Sequence, residues 1–168
     1  MKFSFLPYTI DKEGLPTLKN SDLRFIFQLI EMSGGLDKVF FSSGLDNADA
    51  FIERVKSPNM LFCALYRLKD RDLVGFIAFD TFKDNTCFIH AYLWQPSKDL
   101  VLDLKRIISD IMDILDLDVV MALTPLPDAV RLGKLVGFKH VGIIPNAARS
   151  YYNNETVDST LLYFTNKR

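Results

Sequence analysis

Three strand-like runs stand in immediate succession at residues 60–68, 73–82 and 86–94. They are divided only by Lys69-Asp70-Arg71-Asp72 and by Asp84-Asn85. Strands joined by turns this short cannot be parallel neighbours, because a parallel connection needs a crossover of a dozen residues or more. The middle of the chain therefore specifies an antiparallel meander.

On either side of it the apolar period changes. Residues 3–9 read as an opening strand, ended by the turn-rich stretch 11–16. Ser21-Asp22 offers a cap for a helix whose apolar positions are Leu23, Phe25, Ile26, Phe27, Leu29 and Ile30, and Ser33-Gly34-Gly35 stops it. Residues 46–56 form a shorter helix, capped by Asp46 or Asn47, with Phe51, Ile52 and Val55 turned inward. After the meander, residues 97–115 repeat apolar side chains at three- and four-residue steps through Leu100, Leu104, Ile107, Ile108, Ile111, Ile114 and Leu115. A short strand (119–123), a brief helix (127–136), a strand (138–144), a polar loop (146–155) and a last strand (157–165) complete the chain. The expected order is β-α-α-β-β-β-α-β-α-β-β. That is an α/β (α+β) domain with a mixed central sheet, and residues 1–168 form one such domain.

Composition narrows the function classes. The 168 residues are 49% hydrophobic, with 20 Lys and Arg against 21 Asp and Glu. So apolar and nearly neutral a chain is neither disordered nor a dedicated nucleic-acid binder, which would show a basic excess. No apolar run approaches the roughly 18 residues of a membrane helix, and the first residues lack the pattern of an export signal. A cytoplasmic protein with no membrane and no nucleic-acid partner is expected. Cys63 and Cys87 each lie inside an apolar run, so they read as buried small hydrophobes. With His90 and His140 they make no metal-ligand spacing, and no metal is expected.

The element order resembles that of the GCN5-related N-acetyltransferase (GNAT) superfamily, and three local stretches sharpen the likeness. Residues 131–142 look like the family's short helix, Gly-Phe and basic residue, with Gly137-Phe138-Lys139 at the joint. Tyr151-Tyr152-Asn153-Asn154-Glu155, followed by Asp158 and Leu161-Leu162-Tyr163, is similar to the final loop and strand of ribosomal-protein and related members. Tyr92-Leu93-Trp94-Gln95-Pro96 resembles the end of their fourth strand. The resemblance implies transfer of an acetyl group from acetyl-CoA to a primary amine on a small molecule or peptide, with a homodimer as a further expectation. It also implies a co-substrate site at Tyr92, Leu93, Trp94, Gln95, Ser97, Lys98, Asp99 and Leu100. There the pantetheine arm would meet the strand, and the pyrophosphate the first amides of the next helix.

The family's glycine-containing pyrophosphate loop would fall on residues 99–104, where its glycines are missing. Leu102 and Leu104 stand in their place, and Asp99 adds a carboxylate, while Gln95, Ser97 and Lys98 supply donors and a counter-charge. The Asn and the Tyr found in many members correspond to Leu126 and Gly133. A different class of function therefore stays open: a non-catalytic GNAT-fold binding or structural module, of the kind phages also carry, that has lost CoA.

An amine attacking a thioester needs a base, and His90 is the candidate, two residues before Tyr92 and on the same strand face. Asp80, at the end of the preceding strand, is the second candidate. Arg149, Tyr151 and Tyr152 in the last polar loop are candidate acceptor contacts, which is what the resemblance implies for that loop. The apolar stretch Val39-Phe40-Phe41 reads as a cover over the acceptor groove, as a partner surface or as ordinary core.

Overall fold

The computed structural model describes residues 2–39, 47–149 and 155–166. The chain runs through β1 (Phe3–Pro7), α1 (Asn20–Met32), α2 (Leu36–Val39), α3 (Ala48–Val55), β2 (Met60–Arg67), β3 (Leu73–Lys83) and β4 (Thr86–Leu93). It continues through α4 (Lys98–Ile114), β5 (Val119–Thr124), α5 (Pro127–Val136), β6 (Lys139–Arg149) and β7 (Thr156–Thr165). This is the expected mixed α/β order with one addition, the single turn α2.

All seven strands join one sheet in the order β1-β2-β3-β4-β5-β7-β6. Every neighbouring pair is antiparallel except β4 with β5. That exception follows from connectivity, since α4 carries the chain from the end of β4 back to the start of β5. The two faces bury different clusters. Ile77, Phe79, Cys63, Leu65 and Cys87 pack with Leu100, Leu104, Ile107 and Ile111 of α4. Phe62, Ala64, Phe76 and Ala78 pack with Leu23, Ile26, Phe27 and Ile30 of α1 and with Phe51, Ile52 and Val55 of α3. Strands covered on both faces read as near-continuous apolar runs, which is why β2 and β3 show little alternation. Burial of each large side chain contributes about 1.5–3 kcal/mol. Rings stack through the second cluster, with Phe62 and Phe76 centroids 5.2 Å apart and Phe51 edge-on to Phe62 at 5.7 Å.

Local chemistry sets the ends of the helices. Asn47 caps α3 by accepting the Ala50 N–H at 2.9 Å, and Ser97 caps α4 by accepting that of Leu100 at 3.2 Å. At α1 the cap is Lys19 rather than Ser21 or Asp22. Asp22 instead reaches back from the third helical position to accept the Lys19 N–H at 2.7 Å. Gly137 ends α5 at φ +115°, where a Cβ would be strained, and its N–H bonds the Gly133 and Lys134 carbonyls.

The largest departure from the sequence expectation is β6, which continues past residue 144 to Arg149. Its register against β7 shifts between Ile144 and Ala148, and Asn146 sits at φ +54°. The Asn146 N–H donates to Asp158 at 3.0 Å, and its side-chain oxygen accepts from Thr156 at 3.0 Å. Pro145 and Asn146 are loop-type residues, but here they make an irregularity inside a strand pair, where such residues are also at home.

Candidate active site

Strands β4 and β5 pair over only three positions, Thr86 with Val119, Cys87 with Val120 and Phe88 with Met121. Beyond them β4 keeps β3 on one side, with His90 opposite Ala78, Tyr92 opposite Phe76 and Leu93 opposite Gly75. β5 likewise keeps only β7, with Ala122 opposite Leu162 and Thr124 opposite Thr160. The sheet therefore opens between the second half of β4 and the end of β5. Main-chain donors and acceptors on facing strand edges in such an opening call for a partner.

A cavity of about 120 Å³ occupies this opening. Ile89, His90 and Ala91 form one wall, and Ala122, Leu123 and Thr124 the other. Leu104 and Ile108 of α4 and Leu132, Gly133 and Val136 of α5 floor it, and Lys38 of α2 reaches it from across the sheet. The cavity thus draws its lining from both faces. Gly133 permits the floor, because a Cβ there would stand 2.8 Å from a Leu162 methyl.

His90 is the one sequence-identified site residue that lines this cavity. Its Nε2 lies 3.1 Å from Oδ1 of Asp80, which also accepts from the Thr81 hydroxyl at 3.1 Å. Oδ2 of Asp80 accepts from Arg54 at 2.6 Å. Asp80 is only 6% exposed. Burial works against its charge, but the His90 hydrogen bond and charge, the Thr81 hydroxyl and the Arg54 guanidinium outweigh burial and hold its carboxyl below the usual range. An ionised carboxylate only accepts, so Nε2 of a neutral His90 carries the proton and Nδ1 keeps the lone pair.

The other sequence-identified residues are placed differently. Tyr92 turns to the α1 face, where its hydroxyl meets the Ser33 carbonyl at 3.2 Å and hydroxyl at 3.1 Å. Its ring covers Gly35 so closely that a Cβ there would fall 2.4 Å from it. Trp94 packs on the same face, with Nε1 donating to the Leu73 carbonyl at 2.9 Å. Leu93 packs against the α4-side cluster. Gln95 accepts from Arg67 at 2.9 Å, and the main-chain N–H groups of Trp94 and Gln95 both reach the Val74 carbonyl. At the start of α4, Ser97 is the cap, Lys98 is exposed, Asp99 pairs with Lys2 at 2.8 Å and Leu100 is fully buried. Asp103, one turn on, accepts the main-chain N–H groups of Lys2 and Phe3. Arg149 lies at the exposed end of β6 opposite Thr156. Tyr151, Tyr152 and the Phe40-Phe41 stretch fall outside the described residues.

Sequence reasoning missed Lys38 and Arg54, which carry no local signal of their place. The role of Asp80 was within reach: it is in phase with Phe76 and Ala78 on a buried face, and diagonal to His90 across the pair. Cys63 and Cys87 are both fully buried, and burial pushes both thiols up to about 12, with the Asp80 charge adding to it at Cys87. Neither is a ready nucleophile. No group of three or more potential metal-ligating side chains occurs among the described residues, and no described helix is long and apolar enough to cross a membrane.

No protein-family model matches the chain, and no curated protein matches it by sequence. Solved structures do. A spermidine N-acetyltransferase from Vibrio cholerae, in complex with CoA and spermine, superposes with a TM-score of 0.73 at 15% identity, over 98% of this chain and 95% of that one. A dodecameric form of spermidine N-acetyltransferase from Vibrio cholerae gives 0.67 at 14% identity, over 98% and 94%. The microcin C7 self-immunity acetyltransferase, in complex with acetyl-CoA and AMP, gives 0.71 at 10% identity, over 98% and 93%. Agreement across nearly the whole of both chains, at identities this low, is agreement of backbone path, and it gives this chain the fold of the GNAT acetyltransferases.

Proposed function

We propose that this protein is an N-acyltransferase that moves an acetyl group from acetyl-CoA to a primary amine. The observation that carries the proposal is the opening between β4 and β5, with His90 in its wall and Asp80 behind His90. The opening suits an extended acyl-pantetheine arm: it is narrow, apolar on its α4 and α5 side, and edged by strand backbone. Acetyl-CoA, when bound, supplies an activated acetyl thioester. The chain's own part is to bring the amine to it dry and deprotonated. Nδ1 of His90 accepts the proton that an ammonium must lose before attack, directly or through one water. Asp80 fixes the imidazole tautomer, and Arg54 and Thr81 fix Asp80. Leu104, Ile108 and Leu132 exclude water from the floor. At the start of α4, the N–H groups of Lys98 and Asp99 precede the first intrahelical bond, and the Lys98 ammonium stands beside them for a phosphate.

A second reading, a GNAT-fold binding module without CoA, has its own observation. The α4 start is already self-capped by Ser97, and Asp99 is engaged by Lys2. A thermal-denaturation series separates the two. Acetyl-CoA at about 100 times its dissociation constant adds roughly 2.7 kcal/mol, or about 5–10 °C for a domain of this size. A midpoint unmoved by millimolar acetyl-CoA and CoA would leave only the module. A homodimer belongs to the same proposal, supported by the dodecameric relative in fold and by the free edge of β6, and light scattering reads it directly.

A further inference from the structure

We infer that the acceptor amine carries an anionic group, a carboxylate or a phosphate, which Lys38 receives at the mouth of the cleft. The inference rests on the acyltransferase reading and names the class of its acceptor. Among the described lining residues of the cavity, Lys38 is the one permanent cation and there is no carboxylate. Among the described residues, the acid that touches the lining is Asp80, through His90, and its oxygens are taken by Arg54, His90 and Thr81. Arg54 and Asp80 cancel, which leaves the Lys38 charge uncompensated by any described ion pair.

Lys38 is also held in place. The Tyr92 ring packs on Gly35, its hydroxyl holds Ser33, and the Lys38 N–H bonds the Gly35 carbonyl at 3.0 Å. The turn that bears Lys38 is therefore fastened to β4, the strand that bears His90. An acceptor laid between them presents its amine to His90 and its far end to Lys38. A polyamine would bring a second ammonium to that position, with no described carboxylate to meet it. A carboxylate or phosphate there would form a charge-assisted hydrogen bond with the lysine, the stronger kind.

The test measures free-thiol release from acetyl-CoA with matched amines. Lysine is set against lysinamide and cadaverine, phosphoethanolamine against ethanolamine, and spermidine stands as the polyamine; calorimetry of acetyl-CoA binding runs alongside. The expected result is a kcat/KM for the anionic member of each pair roughly 10–100-fold above its neutral partner, the range of a hydrogen bond to a charged group. Lys38→Gln should reduce that ratio to near 1, and Lys38→Glu should invert it, while both still bind acetyl-CoA. A carboxylate preference without a phosphate preference, or the reverse, identifies which anion is received. Equal turnover within pairs, a preference for spermidine, or a ratio unchanged in Lys38→Gln overturns the inference and leaves the transferase standing. Acetyl-CoA binding with no turnover of either series overturns it as well. Absence of acetyl-CoA binding removes the transferase reading and the inference together.

Discussion

The two sides of the sheet are built to different standards. From β1 to β4 the strands are zipped antiparallel along nearly their whole length, and both faces of β2 and β3 are buried under helices. From β5 to β6 the sheet is joined to the rest by three parallel pairs, and β6 is an edge strand with Val141 and Ile143 more than half exposed. The first side holds the fold together, and the junction leaves an opening. An opening of this kind is tolerable because stability is supplied elsewhere: β4 is already anchored by β3, and β5 by β7.

Substitutions in the two regions should therefore differ in size. The largest effect is expected at Phe79, fully buried in β3. Phe79→Ala should cost about 3–5 kcal/mol in chemical denaturation, with no soluble folded protein as the extreme outcome. A cost below about 1 kcal/mol there would contradict the contrast. Next comes Gly75→Ala, because the new Cβ would lie 2.5 Å from the main-chain oxygen of Tyr92, an atom that cannot step aside. A loss of roughly 1–3 kcal/mol is expected, with β3 and β4 forced apart.

Asp80→Asn tests the site rather than the core. At neutral pH it should cost roughly 1–2 kcal/mol, a discounted value because Arg54 is partly exposed. The sign of its pH dependence is fixed by the depressed carboxyl. A folded-state value below the unfolded one, about 3.9, makes a contribution that is present above about pH 4. It is lost as the pH falls through the folded value, so the gap between variant and parent should narrow in acid. A gap that widens in acid would show that Asp80 is protonated in the native state. In turnover, Asp80→Asn should lower kcat while leaving acetyl-CoA binding unchanged, because His90 loses the acceptor that fixes its tautomer, whereas a purely structural role would weaken both together.

Smaller effects come from the edges of the architecture. Ser97→Ala removes the α4 cap and should cost about 1 kcal/mol, whereas Ser97→Gly should cost only a few tenths and leaves the Leu100 N–H open. If acetyl-CoA binds there, the glycine variant binds it at least as tightly as the parent. The smallest effect is expected at Ile143→Ser on β6, within about 0.5 kcal/mol for an isolated chain. A larger loss that grows on dilution would place β6 in an interface between copies.

Much of this was legible before any coordinates. Short turns dictated the meander, a helical period marked α1 and α4, and Gly137 marked the end of α5, because each signal is local to a few residues. The β6 irregularity was not legible, since Pro145 and Asn146 carry the same signature in a loop as in a disrupted strand pair. His90 could be singled out by its phase with Tyr92, yet the two side chains do different work. Tyr92 clamps Ser33 and Gly35, and His90 faces the opening.

By itself the sequence determined which segments are strands and helices, and that the chain between β4 and β5 must cross over. These follow from turn chemistry and from apolar periods that act over a few neighbours. Tertiary structure alone decided that the two strands separate after Phe88 and Met121, and that Lys38 and His90 line the opening with Asp80 and Arg54 behind His90. The physical reason is that a strand-forming run such as 86–93 forms the same strand with a partner on one side or on two. The missing partner is set by the packing of Leu104 and Ile108 of α4 and of Leu132 and Val136 of α5, more than ten residues away along the chain.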